Sequence, residues 1–191
     1  IVGSEESPFP RSLFVDTDDD AIDYHVLGRR SACRGLVERD QTVVCKTWDD
    51  ATYTSVAELF DSERESNGGG GVAIADKLRR YTEQCGTLQG FLVTHALGGG
   101  TGSGGGSWLS NHLSDYYSKK SSIAYQISTS PGTRTFLNGP INEINEFIAL
   151  HQCSNFSLRI LLSNQAAHNH NDFPKLPNGA GCFDDVNSIH A

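Results

Sequence analysis

Short apolar runs and longer amphipathic stretches alternate along most of this chain. Residues 13–16, Leu-Phe-Val-Asp, form a short apolar run behind Pro8 and Pro10. The run ends in the acidic cluster Asp16, Asp18, Asp19 and Asp20, as a buried strand does when it delivers carboxylates to a site. Solvated loop acids are the plainer reading of the same cluster. Residues 24–66 show no sustained period, and within them 55–65 reads equally as short helix or coil. Asn67-Gly-Gly-Gly-Gly71 reads as a flexible hinge or turn. After it, Val72, Ile74, Ala75, Leu78 and Tyr81 share an approximate face and predict a helix of about three turns over 72–82. A strand is expected over 88–96, then a helix over 108–117 with Leu109, Leu113 and one of Tyr116 or Tyr117 on its apolar face, then a strand over 123–127. A helix over 143–150 is expected to turn Ile144, Phe147 and Ile148 inward. Residues 158–162 form a strand, apolar except for Arg159, that ends at Ser163-Asn164. This alternation predicts an α/β fold with a parallel sheet, the class in which ligands sit at the carboxyl ends of strands.

The glycine run at 98–106 falls between a predicted strand and a predicted helix. Successive backbone N–H groups with no side chains in the way can point at an anion there, and a helix N-terminus adds about half a positive charge. Thr101 and Ser103 offer hydroxyl donors, and missing Cβ atoms would permit the positive φ angles of a tight cradle. A disordered linker is the alternative, but linkers do not usually run straight out of a buried strand. The run is not a Walker loop, because Ser107-Trp108 stands where Lys-Ser/Thr would follow. Neutralisation of a bound phosphate must then come from backbone dipoles, a metal, or both.

Composition narrows the class of function. The 191 residues suit one domain, and a hydrophobic fraction of 37% with 20 glycines suggests long loops or a surface covered by something else. A net charge of −8 argues against binding to a nucleic-acid backbone or an anionic membrane surface. Five widely spaced cysteines with no C-x-x-C pair fit a reducing compartment better than a disulfide framework or a zinc site. No stretch approaches the ~18 apolar residues of a membrane span, so a soluble protein is expected. The chain begins Ile1-Val2-Gly3 and contains no Met, which suggests a processed or partial chain. His168-Asn-His170-Asn-Asp172 carries metal-capable groups but reads as a solvated polar loop, since no third anchored ligand is apparent. His25, His95 and His112 are isolated, and no nucleophile–histidine pairing follows from spacing.

The segment Ala96-Leu-Gly-Gly-Gly-Thr-Gly-Ser-Gly104 resembles the phosphate-binding signature of the tubulin family, and its flanks extend the likeness. Glu83-Gln-Cys85 with Leu88-Gln-Gly-Phe91 resembles the family's entry into that strand, and residues 116–121 (YYSKKS) the segment after the helix. Pro10-Arg-Ser-Leu-Phe-Val-Asp16 resembles the strand leading to the family's magnesium-side acidic loop. Pro140-Ile-Asn142 with Ile144, Leu162-Ser-Asn164-Gln-Ala, and Phe183 with Asn187 follow in the order of its later nucleotide contacts. The likeness covers residues 8–191. It implies a parallel-sheet, tubulin-type GTPase domain in which Gly99, Gly100, Thr101, Gly102 and Ser103 hold phosphates and Asp16 and Asp18 face Mg²⁺ and its waters. Asn142 would join the later nucleotide contacts, Asn164 and Asn187 would read ribose and guanine edges, and Phe183 would stack on the base where the family usually has Tyr.

Departures accompany the likeness. Gly139 stands where the family has a ribose-side Glu, the Pro131–Thr135 loop is atypical, and residues 28–66 match poorly. Relative to the family, the first strand, its glutamine-rich loop and the later domains are missing, so residues 1–191 are expected to be a partial GTP-binding domain. The resemblance implies a divergent tubulin that binds GTP or GDP with Mg²⁺ and forms, or sits in, a microtubule-based structure of the cytoplasm. Its partners would be tubulin subunits or other microtubule proteins, and any hydrolysis would need a neighbouring subunit. The conventional alpha and beta classes are not expected, and a specialised ciliary or centriolar form is one alternative. A non-catalytic scaffold or cap with a decayed pocket is the competing reading.

Overall fold

The computed structural model describes residues 10–29, 31, 35–46, 52–61, 70–128, 139–164 and 166. The chain divides into two compact units, residues 1–50 with 58–88, and residues 51–57 with 89–191.

In the first unit, β1 (Phe14–Asp16) pairs in parallel with β2 (Thr42–Val44), Phe14 opposite Thr42 and Asp16 opposite Val44. Helix α1 (Asp19–His25) follows β1, and its Ile22 joins Val26 and Val37 in a small core with Phe14, Leu27 and Val44 packed against it. Neither α1 nor β2 is marked in the sequence, because two turns of helix and three residues of strand are too short to show a period. Polar contacts hold what so small a core cannot. The buried Gln41 amide donates to Pro10 O at 2.6 Å, the Lys77 ammonium donates to the carbonyls of Asp40 and Thr42, and the Arg39 guanidinium pairs with Asp19 and Asp23.

Helix α3 (Gly70–Glu83) also belongs to this unit. It corrects the hinge expected at 67–71 in part, because Gly70 and Gly71 are buried in its first turn; residues 67–69 lie outside the described residues. A Cβ at Gly70 would lie 2.7 Å from the Phe60 ring and nearer still to Cys45 Sγ, so glycine there makes room. The inward face carries Gly71, Ile74 and Leu78, while Val72, expected inward, is 49% exposed.

The second unit is built on a three-stranded parallel sheet in the order β3 (Gly90–Ala96), β4 (Ser121–Ser128), β5 (Leu158–Ser163). The predicted parallel α/β architecture is present, with each strand within two residues of its expected bounds. On one face Phe91, Val93 and His95 register with Ser122, Ala124 and Gln126. Helices α4 (Gly106–Tyr116) and α5 (Gly139–Gln152) supply Leu113 and Ala149 to the core with Leu97, Ala124, Cys153 and Phe156. Tyr117, not Tyr116, packs on that core, and Tyr116 is exposed. Burial raises the Cys153 thiol above its ordinary pKa and keeps it unreactive.

Helix α5 departs from the expected phase. Ile144 is 58% and Phe147 78% exposed, Ile148 is half-buried, and the buried positions are Asn145 and Ala149, four residues apart on one face. The rotation follows from polar anchoring of Asn145, whose amide makes two bonds inside the unit, and from the small side chain of Ala149, which lets the helix approach the core.

Ser110 Oγ, on α4, is the single buried side-chain N or O atom among the described residues with no hydrogen-bond partner. Burying a hydroxyl without a partner costs free energy that a methyl group does not. Ser110→Ala is therefore expected to raise stability by about 1 kcal/mol, read as a higher urea midpoint at unchanged slope. A lower midpoint would show that the hydroxyl is satisfied in solution.

Candidate functional site

The carboxyl edge of the second unit's sheet is where the chain's unusual residues collect. Past Ala96 at the end of β3 the backbone hooks onto the neighbouring strand, Leu97 N–H donating to Ile127 O at 2.9 Å. The glycine run then begins. It is helical almost from its start: Ser103 N–H donates to Gly99 O at 2.8 Å, residues 101–105 wind as a wider π-type turn, and α4 continues from Gly106. Helix thus begins well before the expected position 108, and the low helix propensity of glycine is what hid it.

The positive φ angles expected of a cradle are absent. Gly100, Gly105 and Gly106 have φ of −58°, −67° and −62°, and among the described residues Gly35 alone is positive, at 76°. Glycine is needed here for close approach. A Cβ at residue 102 would fall on the Ala96 carbonyl oxygen and 2.9 Å from Ala96 N. One at residue 104 would lie 2.6 Å from Tyr53 O, and one at residue 106 would lie 2.5 Å from His95 Nδ1. Gly99 differs from all three. It is exposed, and a Cβ there would meet nothing within 4 Å.

Four side chains hold this turn, and the sequence pattern singled out only Ser103. Buried Ser103 turns its hydroxyl back to Gly100 O at 3.2 Å, while Ser107 Oγ donates to Ser103 O at 2.8 Å. His95, which spacing left isolated, places Nδ1 2.7 Å from Gly102 O and Nε2 3.2 Å from the Gln126 amide nitrogen. A carbonyl only accepts, so Nδ1 carries the proton and Nε2 accepts from Gln126. Burial holds the imidazole below its ordinary pKa, against the pull of the Gly102 carbonyl, and the neutral ring suits both partners. Asn145 donates from Nδ2 to Gly98 O at 3.0 Å, and its Oδ1 accepts the Tyr53 N–H of α2 (Tyr53–Asp61) at 3.0 Å. Its partners are main-chain atoms, so no sequence signal singled it out.

The remaining expected residues are distributed as follows. Gly100 and Thr101 open the helical turn, Gly100 buried and Thr101 half-buried. Asn164 stands immediately after β5, at the same carboxyl edge as the glycine run, and half-buried Asn142 lies in the first turn of α5. Asp16 and Asp18 belong to the first unit. Asp16 Oδ1 accepts the Thr17 N–H at 2.7 Å, and Asp18 caps α1 by accepting the Asp20 N–H at 3.0 Å. Phe183, Asn187, the Pro131–Thr135 loop and His168–Asp172 lie outside the described residues. Among the described residues no three His, Cys, Asp or Glu side chains converge to hold a metal ion, and no helix is long and apolar enough to cross a membrane.

The arrangement suits an anion: a helix start at the carboxyl edge of a parallel sheet, with an exposed glycine that leaves space open. Comparison with known proteins gives the family. The description "Tubulin/FtsZ family, GTPase domain" is matched by residues 3–172. The chain is 34% identical over 167 residues to the tubulin alpha-2 chain of Emericella nidulans, covering 83% of this chain and 33% of that protein. It is 37% identical over 142 residues to the tubulin alpha chain of Eremothecium gossypii and 35% over 135 residues to the tubulin alpha-1 chain of Saccharomyces cerevisiae, each covering 71% of this chain and 28% of the relative. The chain thus spans about a third of the length of these curated relatives. With its glycine turn, its parallel sheet and a match over most of its length, the chain belongs to the Tubulin/FtsZ family.

Proposed function

We propose that this chain is the phosphate-binding part of a guanine-nucleotide-binding, tubulin-like cytoskeletal protein that assembles with tubulin subunits. The observation that carries the reading is the contrast within the glycine run: Gly102, Gly104 and Gly106 are packed, and Gly99 is open. Close packing accounts for Gly102, Gly104 and Gly106 and leaves the space at Gly99 for a ligand. Gly100, Thr101 and Gly102 would contribute first-turn N–H groups to the phosphates. Ser103 would contribute less than the resemblance implies, since its hydroxyl is spent on Gly100 O and its N–H on Gly99 O. Asn142, Asn164, Asn187 and Phe183 are proposed for the nucleoside.

Magnesium fits in one form only. With no convergent cluster among the described residues, the ion would be shared between one or two carboxylates, proposed as Asp16 and Asp18, nucleotide oxygens and water, as Mg²⁺ prefers. The scaffold reading, in which the pocket no longer binds nucleotide, makes the opposite expectation in the same titration.

Equilibrium titration with fluorescent GDP is the test. The wild-type chain should bind, and Gly99→Val should lose binding by at least about tenfold, because its side chain fills the open space beside the first-turn N–H groups. Its far-UV circular dichroism should be unchanged, since no atom stands within 4 Å of the new Cβ. Unaltered affinity in Gly99→Val would remove the turn from the site, and no binding by wild type would favour the scaffold.

A second expectation concerns the metal. GDP should bind more tightly with Mg²⁺ than with EDTA, while Mg²⁺ alone should bind too weakly to detect by calorimetry, because the protein supplies too few ligands without the nucleotide. Asp16→Asn should remove the metal dependence. The structural duty of Asp18 as the cap of α1 makes its substitution less informative, since losing a cap costs about 1 kcal/mol by itself. Equal affinity with and without metal would take both carboxylates out of the site.

A further inference from the structure

We propose that Asn145 is the positioning residue of the phosphate-binding turn, an inference that rests on the reading of that turn given above. Three segments of the second unit meet at its amide: α5, which carries it; the turn, through Gly98 O at 3.0 Å; and the start of α2, through the Tyr53 N–H at 3.0 Å. The side chain is 3% exposed. Gly98 is the last residue before the open position Gly99, and Gly99 O accepts the first helical bond of the run from Ser103. Holding the Gly98 carbonyl therefore fixes the plane of the peptide that ends in the Gly99 N–H and sets where the first-turn N–H groups aim.

The chemistry of the amide suits this task. It donates and accepts at once, so one uncharged group satisfies a buried carbonyl and a half-buried N–H that belong to two other segments. A leucine, with the same branching and the same number of heavy atoms, would leave both groups unpaired. A lysine would neutralise phosphate but could not accept from Tyr53. The opposite end of the segment is held separately, by His95 on Gly102 O, so the turn is tied at both ends by neutral side chains. The phosphate is then left to the backbone, which agrees with the absence of a lysine after the glycines. Asn145 acts through Gly98 and touches no ligand itself.

The test uses the whole 191-residue chain, with GDP and guanosine as probes. Asn145→Leu should weaken GDP by about tenfold while leaving guanosine affinity unchanged, because only the phosphate end loses its alignment. Amide exchange at Gly99 and Gly100 in the ligand-free variant should be faster than in wild type. Asn145→Asp supplies an arm that does not depend on the leucine variant folding well. A neutral carboxyl can accept from Tyr53 and donate to Gly98 O, whereas a carboxylate can only accept. Its GDP affinity should therefore be poor at pH 8 and recover as pH falls through the raised pKa of a buried acid. The wild-type chain measured at the same pH values removes the contributions of His95 on Gly102 O and of Glu146, whose carboxylate accepts from Ser128. Equal loss of GDP and guanosine in Asn145→Leu, or no recovery in Asn145→Asp at low pH, overturns the proposal. If wild type binds GDP and Asn145→Leu matches it, this inference alone fails. If wild type does not bind GDP, the phosphate reading fails and this inference with it.

Discussion

The backbone at residue 102 runs so close to Ala96 that no side chain can stand between them, and most of the second unit follows from that approach. A turn pressed against the end of its own strand has to bring its helix back over the sheet at once. The helix then comes down on the face carrying Phe91, Val93 and His95, where Leu109 and Leu113 can pack. The same approach explains the wider winding over 101–105. With glycines at 102, 104 and 106 the helix can lie against Ala96, Tyr53 and His95 in turn. A π-type turn of this kind is often found where a helix has been adjusted to a functional need.

Close approach leaves polar backbone in a confined place, and the unit answers with neutral partners. Gly98 O is met by Asn145, Gly102 O by His95, and the far side of the His95 ring by Gln126. None of these side chains carries charge in the arrangement observed, so none of them competes with or substitutes for the dipoles of the turn. Two ring nitrogens with fixed partners hold His95 in one tautomer, and burial opposes its protonation. Acid that protonates Nε2 would set it against the Gln126 amide donor. This pair therefore stabilises the fold fully above the ordinary histidine pKa and progressively less as pH falls below it.

The architecture was legible where elements are long and apolar on one side. The strands over 90–96, 121–128 and 158–163 and the helices beyond them have clear periods, and the position of the glycine run between a strand and a helix pointed to an anion. The reason for the glycines was not legible, because sequence shows a missing Cβ without showing what would occupy its place. Positive φ and close approach call for the same residue, and among the described residues only Gly35 uses the first. The face of α5 was misread for a related reason: hydrophobic periodicity puts Ile144 and Phe147 inward, and two hydrogen bonds to Asn145 outweigh it. His95 and Asn145 could not be found by spacing, since their partners are main-chain atoms that no motif records. In the first unit, α1 and β2 are too short for any period to mark them.

The central claim is that the run's glycines divide into packing and open positions. Thermal unfolding of Gly102→Ala and Gly99→Ala, measured side by side without ligand, tests it most directly. Gly102→Ala should lose about 3 kcal/mol or more, because its methyl group meets main-chain atoms of Ala96 that cannot swing aside. Gly99→Ala should stay within about 1 kcal/mol of wild type, since its methyl group enters open space. Equal stability of the two variants would contradict the account, because the run would then lack the close approach on which the rest of the unit is built.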